Sequence, residues 1–238
     1  NKNINIVFHA AAYKHVPLVE ENPFQGTCNN IDSTINLCRV SKKYNIEHVL
    51  LISSDKAVRP TNFMGASKRI AELIFQGFSS TTPRTKFCIV RFGNVLGSSG
   101  SVIPIFSDQI REGGPITVRD PNVTRYFMTI NEAALLVINA GMMAKTYDTF
   151  LLKMGEPVRI YNLAKKMINL YGFDLIENGS DKKGIEIIFT GLRSGEKKYE
   201  ELLVSGNEKL TENKLIFRDV CSSKLTHEEF AFLNEKIK

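Results

Sequence analysis

The residue types best suited to proton chemistry lie together in Ser53-Ser54-Asp55-Lys56, directly after an apolar run. A hydroxyl, a carboxylate and an ammonium in this order can donate, accept and relay protons. Eight residues past Lys56 comes Met64-Gly65-Ala66-Ser67-Lys68, in which Met64 and Lys68 have the i, i+4 spacing that shares one helix face. Taken singly, Asp55 is explained as a turn cap and both lysines as surface charges, so only the combination indicates a catalytic site.

Apolar runs and amphipathic stretches alternate along the first part of the chain. The apolar runs are typical of buried parallel strands and comprise Ile4 to His9, Val49 to Ser53 and Phe87 to Arg91. The amphipathic stretches predict helices from about Pro23 to Tyr44 and from about Met64 to Phe78. This alternation predicts an α/β fold with a doubly wound parallel sheet, in which ligands bind beyond the carboxyl ends of the strands. Ser54, Asp55 and Lys56 fall at such an end.

The residues after Arg91 have a different character. A Gly/Ser-rich loop from Gly93 to Gly100 is followed by shorter elements and by a polar stretch from Glu177 to Gly184. This pattern predicts a smaller C-terminal lobe built onto the sheet. The charged tail after Glu208 is interpreted as a helix or a mobile end.

No G-x-G-x-x-G turn opens a helix in this sequence. A Rossmann-like dinucleotide-binding fold normally begins with a strand, that turn and a helix whose N-terminus faces the pyrophosphate. We therefore expect the N-terminal strands of the sheet to be missing, which would leave an exposed sheet edge. The start at Asn1, without an initiator methionine, favours a truncated chain or a partial gene product.

The composition is that of a globular protein, with 43% hydrophobic and 24% charged residues. No run approaches the roughly 18 apolar residues of a membrane-spanning helix, so the chain is expected to be cytoplasmic. The net charge is +6, but the lysines and arginines are interleaved with acidic residues. The sequence lacks the basic and aromatic motifs that nucleic-acid binding requires. The cysteines lack the C-x-x-C spacing of a zinc site and are interpreted as buried apolar residues; they are Cys28, Cys38, Cys88 and Cys221.

Five ordered segments indicate a closer relationship. They are HAAAYKHVPLVEENP from His9, SSDKAVRPTNFMGASKR from Ser53, RFGNVLGSSGSVIPIF from Arg91, DPNVTRYFMTINEA from Asp120 and GLRSGEKKYEEL from Gly191. In these segments the chain resembles the UDP-N-acetylglucosamine 4,6-dehydratases of polysaccharide, capsule and glycan biosynthesis, within the extended short-chain dehydrogenase/reductase superfamily. Met64 stands where that superfamily has a tyrosine, and in this it resembles the longer, membrane-anchored dehydratases that carry a methionine there.

The resemblance implies a bound NAD and the conversion of a UDP-N-acetylhexosamine to a 4-keto-6-deoxy product, without a metal. The implied catalytic residues are Ser54, Asp55, Lys56, Met64 and Lys68. The implied NAD contacts are Ala10, Ala11, Ala12, Asn30 and Lys68. The implied sugar-nucleotide contacts are Lys14, His15, Asn94, Arg125, Arg193 and Glu196. Residues 1–92 would form a partial NAD-binding domain with the catalytic residues, and residues 93–238 mainly a sugar-nucleotide lobe interleaved with the last sheet elements.

The chemistry of each step suggests a role for each side chain. Ser54 would hydrogen-bond the sugar 4-hydroxyl and pass its proton to Asp55 or to water, while Lys68 would bind the nicotinamide ribose. Elimination of the 6-hydroxyl needs a base and an acid, for which we expect a neutral Lys56 and a protonated Asp55 in a dry pocket. Which of the two carries which proton stays open, because a strongly coupled pair titrates as a unit.

Two other functions compete with the dehydratase. A nucleotide-sugar 4-epimerase would share NAD and UDP-sugar binding, but it usually keeps the tyrosine and needs no Asp-Lys pair, so Met64 favours the dehydratase. A non-catalytic fragment that binds a UDP-sugar is the other alternative. The resemblance further implies a homo-oligomer and, for a longer parent protein, an inner-membrane anchor with this part facing the cytosol.

Overall fold

The structure is a computed structural model that describes residues 3–145, 147–176, 184–201, 208–220 and 226–236. In chain order its strands are β1 (Ile6–His9), β2 (His48–Ser54), β3 (Lys86–Phe92), β4 (Asn94–Val95), β5 (Ile116–Val118), β6 (Thr124–Arg125), β7 (Phe127–Met128), β8 (Asp148–Leu152), β9 (Val158–Arg159), β10 (Leu175–Ile176), β11 (Ile185–Phe189), β12 (Glu208–Leu210) and β13 (Ile216–Asp219). Its α-helices are α1 (Val16–Glu21), α2 (Pro23–Tyr44), α3 (Phe63–Ser80), α4 (Val102–Arg111), α5 (Ile130–Met143), α6 (Ile160–Leu170) and α7 (His227–Lys236), and a 3-10 turn spans Asp55–Ala57.

A six-stranded sheet in the order β1-β2-β3-β8-β13-β12 organises the first of two compact units. Strands β1, β2, β3 and β8 run parallel. Strand β13 pairs antiparallel with β8, and β12 pairs antiparallel with β13. Register places Ser53 opposite Arg91 and Ser54 opposite Phe92. The carboxyl ends of β2 and β3 therefore lie side by side.

Helices cover both faces of this sheet. Alternate side chains of β2 point to opposite faces, and Val49 and Leu51 pack in a core with Ile35 of α2 and Phe75 of α3. Leu50 points to the other face, where a Cβ on Gly141 of α5 would lie 2.6 Å from its Cδ2 atom. The predicted doubly wound α/β fold is confirmed, with a mostly parallel sheet.

Strand β1 is an edge of the sheet among the residues that the structure describes. It pairs with β2 on one side. Its side chains alternate in exposure, with Ile6 at 52% and Phe8 at 48% exposed while His9 is buried. The edge thus presents apolar side chains on one face.

The second unit comprises Gly93–Glu132 and Met154–Glu200, whereas Ala133–Lys153 and Glu201–Lys238 belong with the sheet and Asn1–Phe92. Its short strands form the groups β10-β11-β5, β4-β7 and β6-β9. Helices α4 and α6 bury Phe106, Ile110 and Ile168 against Ile116 and Ile185 of the three-stranded group. The assignment of NAD binding to residues 1–92 and of sugar-nucleotide binding to residues 93–238 stays a prediction.

The described residues include three of the four cysteines and part of the charged tail. Cys38 and Cys88 are buried free thiols, and Cys28 is half-buried. Cys221 and most of the polar stretch, residues 177–183, lie outside the described residues. Helix α7 occupies part of the charged tail. Across the described part of the chain, every helix is too short or too polar to cross a membrane.

Candidate functional site

The carboxyl end of β2 brings three polar side chains into direct contact. Ser54 is extended and caps the 3-10 turn by accepting a hydrogen bond from the Lys56 amide at 3.2 Å. Its Oγ donates to Asp55 Oδ1 at 2.7 Å, and Lys56 Nζ donates to the same oxygen at 3.0 Å. One carboxylate oxygen therefore links the hydroxyl and the ammonium.

The other oxygen of Asp55 has a different environment. The Asp55 side chain is 0% exposed, that of Lys56 is 19% exposed, and Asp55 Oδ2 is buried without a hydrogen-bond partner among the described residues. A buried carboxylate oxygen without a donor costs free energy and is uncommon in folded proteins. Oδ2 is thus an acceptor that a proton or a substrate hydroxyl would satisfy.

The N-terminus of α3 packs directly on the 3-10 turn. Asn62 caps the helix by accepting from the Gly65 amide at 2.7 Å, and Glu20 of α1 accepts from the Phe63 amide at 2.6 Å. A Cβ on Gly65 would lie 2.3 Å from the Lys56 carbonyl oxygen. Only glycine allows this approach, which sets the first turn of α3 against Asp55 and Lys56.

Met64 and Lys68 occupy the buried side of this helix. Met64 is 2% and Lys68 8% exposed. Lys68 Nζ donates to the Ile52 carbonyl of β2 at 3.0 Å. Burial lowers the pKa of Lys68 to about 8, against the opposing charge of Glu72. Lys68 is therefore mostly charged at neutral pH but loses its proton more readily than an exposed lysine.

The segment after β1 lies beside this helix. Asn30 of α2 accepts from the Tyr13 amide at 2.7 Å, donates to the Tyr13 carbonyl at 3.1 Å and donates to Ser67 Oγ at 3.0 Å. Ser67 in turn donates to the Met64 carbonyl. Asn30 thus fastens the loop after β1 to α3, and its side chain is committed to protein groups.

His9 ends β1 and is followed by three alanines. His9 is buried, with Nε2 3.1 Å from Thr34 Oγ1. Burial, and then the charge of Lys68, lowers the pKa of His9, so its ring is neutral at pH 7. Ala10 and Ala11 are exposed and Ala12 is half-buried. Small side chains therefore line the approach to the site from β1.

Lys14 and His15 line a cavity of about 560 Å³ that continues from this loop. Most of its wall is apolar, and it includes Leu18 and Val19 of α1. The tight approach of α1 and α2 behind it depends on Gly26, where a Cβ would lie 2.7 Å from Val19. Of the sequence-predicted residues after β1, Ala12, Lys14 and His15 thus border a cavity of ligand size.

A buried ion-pair network beneath the site was not identified from the sequence. Glu72 of α3 accepts from Arg91 through Nε and Nη2, both at 2.7 Å, and from Ser53 Oγ at 2.7 Å. Arg91 also donates to Asp219 of β13 at 3.3 Å. Burial opposes the charge of Glu72, but its bonds from Arg91 and Ser53 hold the pKa of Glu72 below its usual value. Two features of the sequence could have indicated this network. Glu72 is a charged residue at a buried position of a helix, and Arg91 is a charged residue at the end of an apolar strand.

The remaining predicted residues lie in the second unit. Asn94 bonds the Tyr126 carbonyl through Nδ2 at 3.2 Å. Arg125 donates to the carbonyls of Thr124, Lys197 and Lys198 at 2.7 to 3.3 Å. These two side chains hold the backbone of their own unit together.

Arg193 and Glu196 form a local turn in the same unit. Glu196 accepts from the Arg193 amide at 2.9 Å and pairs with Arg119 at 3.6 Å. The Arg193 side chain is exposed. Its guanidinium is therefore accessible to solvent, whereas the Glu196 carboxylate is already engaged.

The sequence of this chain is similar to those of polysaccharide biosynthesis proteins. The family model for polysaccharide biosynthesis proteins matches residues 1–219. The probable polysaccharide biosynthesis protein EpsC of Bacillus subtilis strain 168 is 54% identical over 84% of this chain and 32% of its own length. The capsular polysaccharide biosynthesis protein CapD of Staphylococcus aureus is 47% identical over 93% of this chain and 35% of its own length. The chain thus spans about a third of the length of these relatives.

Other similar proteins carry more specific names. A UDP-glucose 4-epimerase of Rickettsia bellii is 36% identical over 86% of this chain and 57% of its own length. The X-ray structure of Pen from Bacillus thuringiensis superposes with a TM-score of 0.80 and 36% identity over 99% of this chain and 76% of its own. The dTDP-glucose 4,6-dehydratase DesIV of Streptomyces venezuelae, solved with NAD, shares the Rossmann-like fold at 16% identity, with a TM-score of 0.74 over 98% of this chain and 76% of its own. The chain belongs to the family of polysaccharide biosynthesis proteins.

Proposed function

We propose that this chain carries the acid–base residues of an NAD-dependent 4,6-dehydratase acting on a UDP-N-acetylhexosamine, with UDP-N-acetylglucosamine as the preferred candidate. The observation that carries the proposal is the shared oxygen of Asp55, which bonds Ser54 at 2.7 Å and Lys56 at 3.0 Å while Oδ2 has no partner among the described residues. Dehydration needs an acid and a base on one substrate. The Asp55–Lys56 pair supplies both.

The residues near this pair fit a nicotinamide nucleotide. Ala10 and Ala11 offer small exposed side chains at the end of β1. Among the described contacts Lys68 Nζ makes one hydrogen bond, so further N–H groups of its ammonium remain for a ribose hydroxyl. Asn30 supports this surface indirectly, since its side chain holds Tyr13 and Ser67. When bound, NAD supplies the acceptor and donor of hydride.

The first proton transfer uses Ser54. Its Oγ already donates to Asp55 at 2.7 Å, so a sugar 4-hydroxyl that donates to Ser54 loses its proton to Asp55 along a short relay. Met64 has no ionisable group and cannot replace this path. Ser54 and Asp55 therefore do the work that a tyrosine performs in the wider superfamily.

The elimination then uses both members of the pair. Neutral Lys56 removes the proton from carbon 5 beside the new ketone, and protonated Asp55 gives its proton to the departing 6-hydroxyl, which leaves as water. Lys56 afterwards returns its proton to carbon 5 while carbon 6 is reduced. Over one cycle Asp55 and Lys56 each gain and lose one proton, so the pair returns to its starting state.

Sugar-nucleotide contacts are proposed for Lys14 and His15 in the first unit and for Asn94, Arg193 and Glu196 in the second. Arg193 is exposed, and a guanidinium is suited to bidentate phosphate contacts. Arg125 is engaged with three backbone carbonyls, so we assign it the placement of residues 197 and 198 rather than a direct phosphate contact.

A 4-epimerase is the second candidate, supported by the 36% identity to the Rickettsia bellii protein. The two reactions differ in mass, because dehydration removes one water and epimerisation removes none. We would incubate a longer parent protein, and separately this chain, with UDP-N-acetylglucosamine and NAD and follow the products by mass spectrometry.

Product lacking one water is expected from the active form. Asp55→Asn and Lys56→Ala should each lower its rate by about 10²- to 10⁴-fold, the usual contribution of an acid–base group. Asp108→Asn, at a 65% exposed carboxylate, is the matched control and should keep the rate. An isomer of unchanged mass would establish the epimerase instead, and tight UDP-sugar binding without any product would establish the binding fragment.

A further inference from the structure

Glu72 is a buried carboxylate whose place in the fold is unusual. It lies one helical turn after Lys68 on α3, is fully buried, and contacts Ser53, Arg69 and Arg91. Burying a carboxylate requires hydrogen-bonded and charged partners. Here the partners come from two strands and from α3 itself, so Glu72 joins three elements.

We propose that Glu72 is a positioning residue of the candidate site: its contacts with Ser53 and Arg91 hold α3 against the ends of β2 and β3, so that Lys68 and the Ser54–Asp55–Lys56 segment keep one arrangement. This role rests on the proposed function. The contacts themselves are independent of it.

The geometry concentrates these restraints on the last residues of β2. Glu72 accepts from Ser53, and Lys68 donates to Ile52, so two side chains of α3 bond two consecutive residues of β2. Ser53 stands opposite Arg91 in the sheet. The next residue along β2 is Ser54, whose hydroxyl bonds Asp55. A movement of Glu72 would therefore move Ser53 and, with it, the adjacent Ser54 that bonds Asp55.

Electrostatics connect Glu72 to Lys68 as well. Burial lowers the pKa of Lys68 to about 8, and the negative charge of Glu72 raises it. Removal of the carboxylate should consequently lower the pKa further. His9 of β1 interacts electrostatically with Lys68. Asp55, Lys56 and Arg91 lie on the 3-10 turn and β3, which pack against α3.

The direct test is the titration of Lys68 in the folded protein. The side-chain ¹³Cε resonances of labelled lysines report ionisation, and Lys68→Arg identifies the Lys68 signal by its loss. In Glu72→Gln the midpoint should fall below the wild-type value. Asp219→Asn is the matched control, because it removes the other buried carboxylate of Arg91, from β13, while leaving Glu72 in place.

Activity of the parent enzyme gives the second readout. Glu72→Gln should lower kcat by roughly tenfold to a hundredfold, the effect of displacing catalytic groups slightly, with a smaller change in KM. The pH at which activity changes should move down together with the Lys68 midpoint. A parent protein that forms no dehydrated product would refute the proposed function, while the titration would still decide whether Glu72 acts on Lys68.

Folding of the variant is addressed by a second substitution. Glu72→Gln leaves Arg91 buried with Asp219 as its remaining carboxylate, so the double variant Glu72→Gln/Arg91→Met removes both charges of the pair and avoids an uncompensated guanidinium. Its Lys68 midpoint should also lie below the wild-type value. An unchanged midpoint in whichever of these variants folds, or an equal fall in Asp219→Asn, would overturn the proposal.

Discussion

Two residues show how similar side chains can differ in task. Arg125 and Arg193 lie in the same unit and were both predicted to contact the UDP moiety. The guanidinium of Arg125 is occupied by carbonyls of Thr124, Lys197 and Lys198, whereas the Arg193 side chain is exposed. An arginine with its donors already bonded to backbone has fewer left for phosphate. Arg193 is therefore the better candidate for ligand contact.

Substitution of Met64 tests whether its sulfur takes part in the reaction. Its side chain is 2% exposed, so its contribution is packing rather than proton transfer. Met64→Leu conserves volume and should cost less than about 1.5 kcal/mol of unfolding free energy, with any turnover preserved. Met64→Ala should cost about 2 to 5 kcal/mol, which chemical denaturation measures. Complete loss of turnover in a well-folded Met64→Leu protein would show that the sulfur takes part in the reaction.

At the scale of elements, the junction between the 3-10 turn and α3 decides the shape of the site. Asn62 begins the helix with a side-chain cap, and Gly65 allows the Lys56 carbonyl to approach its first turn. Helix α1 adds Glu20 against the Phe63 amide. These three contacts thus fix where α3 starts relative to Asp55.

Gly65→Ala tests this junction. Its Cβ would lie 2.3 Å from the Lys56 carbonyl oxygen, so the turn must move, and we expect a loss of about 1 to 3 kcal/mol of stability together with strongly reduced turnover. Gly77→Ala on the same helix is the control, since its Cβ would meet the Phe230 ring of α7 instead of the turn. It should lower the melting temperature without a comparable loss of kcat. Equal kcat losses in the two variants would argue against a special role for the Gly65 contact.

For the whole molecule, the C-terminal elements complete the first unit. Strand β13 pairs antiparallel with β8, and its Asp219 bonds Arg91, which is 2% exposed. Phe230 of α7 packs edge-on against Phe78 of α3, with ring centroids 5.4 Å apart. Residues from the C-terminal part of the chain therefore stabilise β3, the strand next to β2 and the candidate site.

Truncation separates these two contributions. Removal of residues 221–238 deletes α7 and its packing on Phe78, whereas removal of 208–238 also deletes β12, β13 and Asp219. Loss of one partner from a buried ion pair typically costs about 3 to 5 kcal/mol, so the larger deletion should be much less stable or insoluble. Thermal unfolding of the two proteins measures this difference. Equal melting temperatures would mean that β13 contributes little.

Local patterns were sufficient for several features of this protein. Apolar runs located β1, β2 and β3, and the amphipathic stretch from Pro23 to Tyr44 matches α2. The fold class followed from their alternation. The sequence also located the Ser54–Asp55–Lys56 cluster at a strand end, because side-chain spacing and strand ends depend on neighbours in the chain.

Long-range features depended on tertiary structure. The sequence did not reveal that Glu72 and Arg91 pair, that Asn30 fastens Tyr13 to Ser67, or that Arg125 is committed to backbone carbonyls. It likewise did not place β12 and β13 antiparallel at the far side of the sheet. Each of these contacts joins residues that are distant in the chain, and strand register and helix packing decide which of many possible polar partners meet. The sequence by itself therefore determined the elements and the reactive segment, while the tertiary structure decided what holds that segment in place.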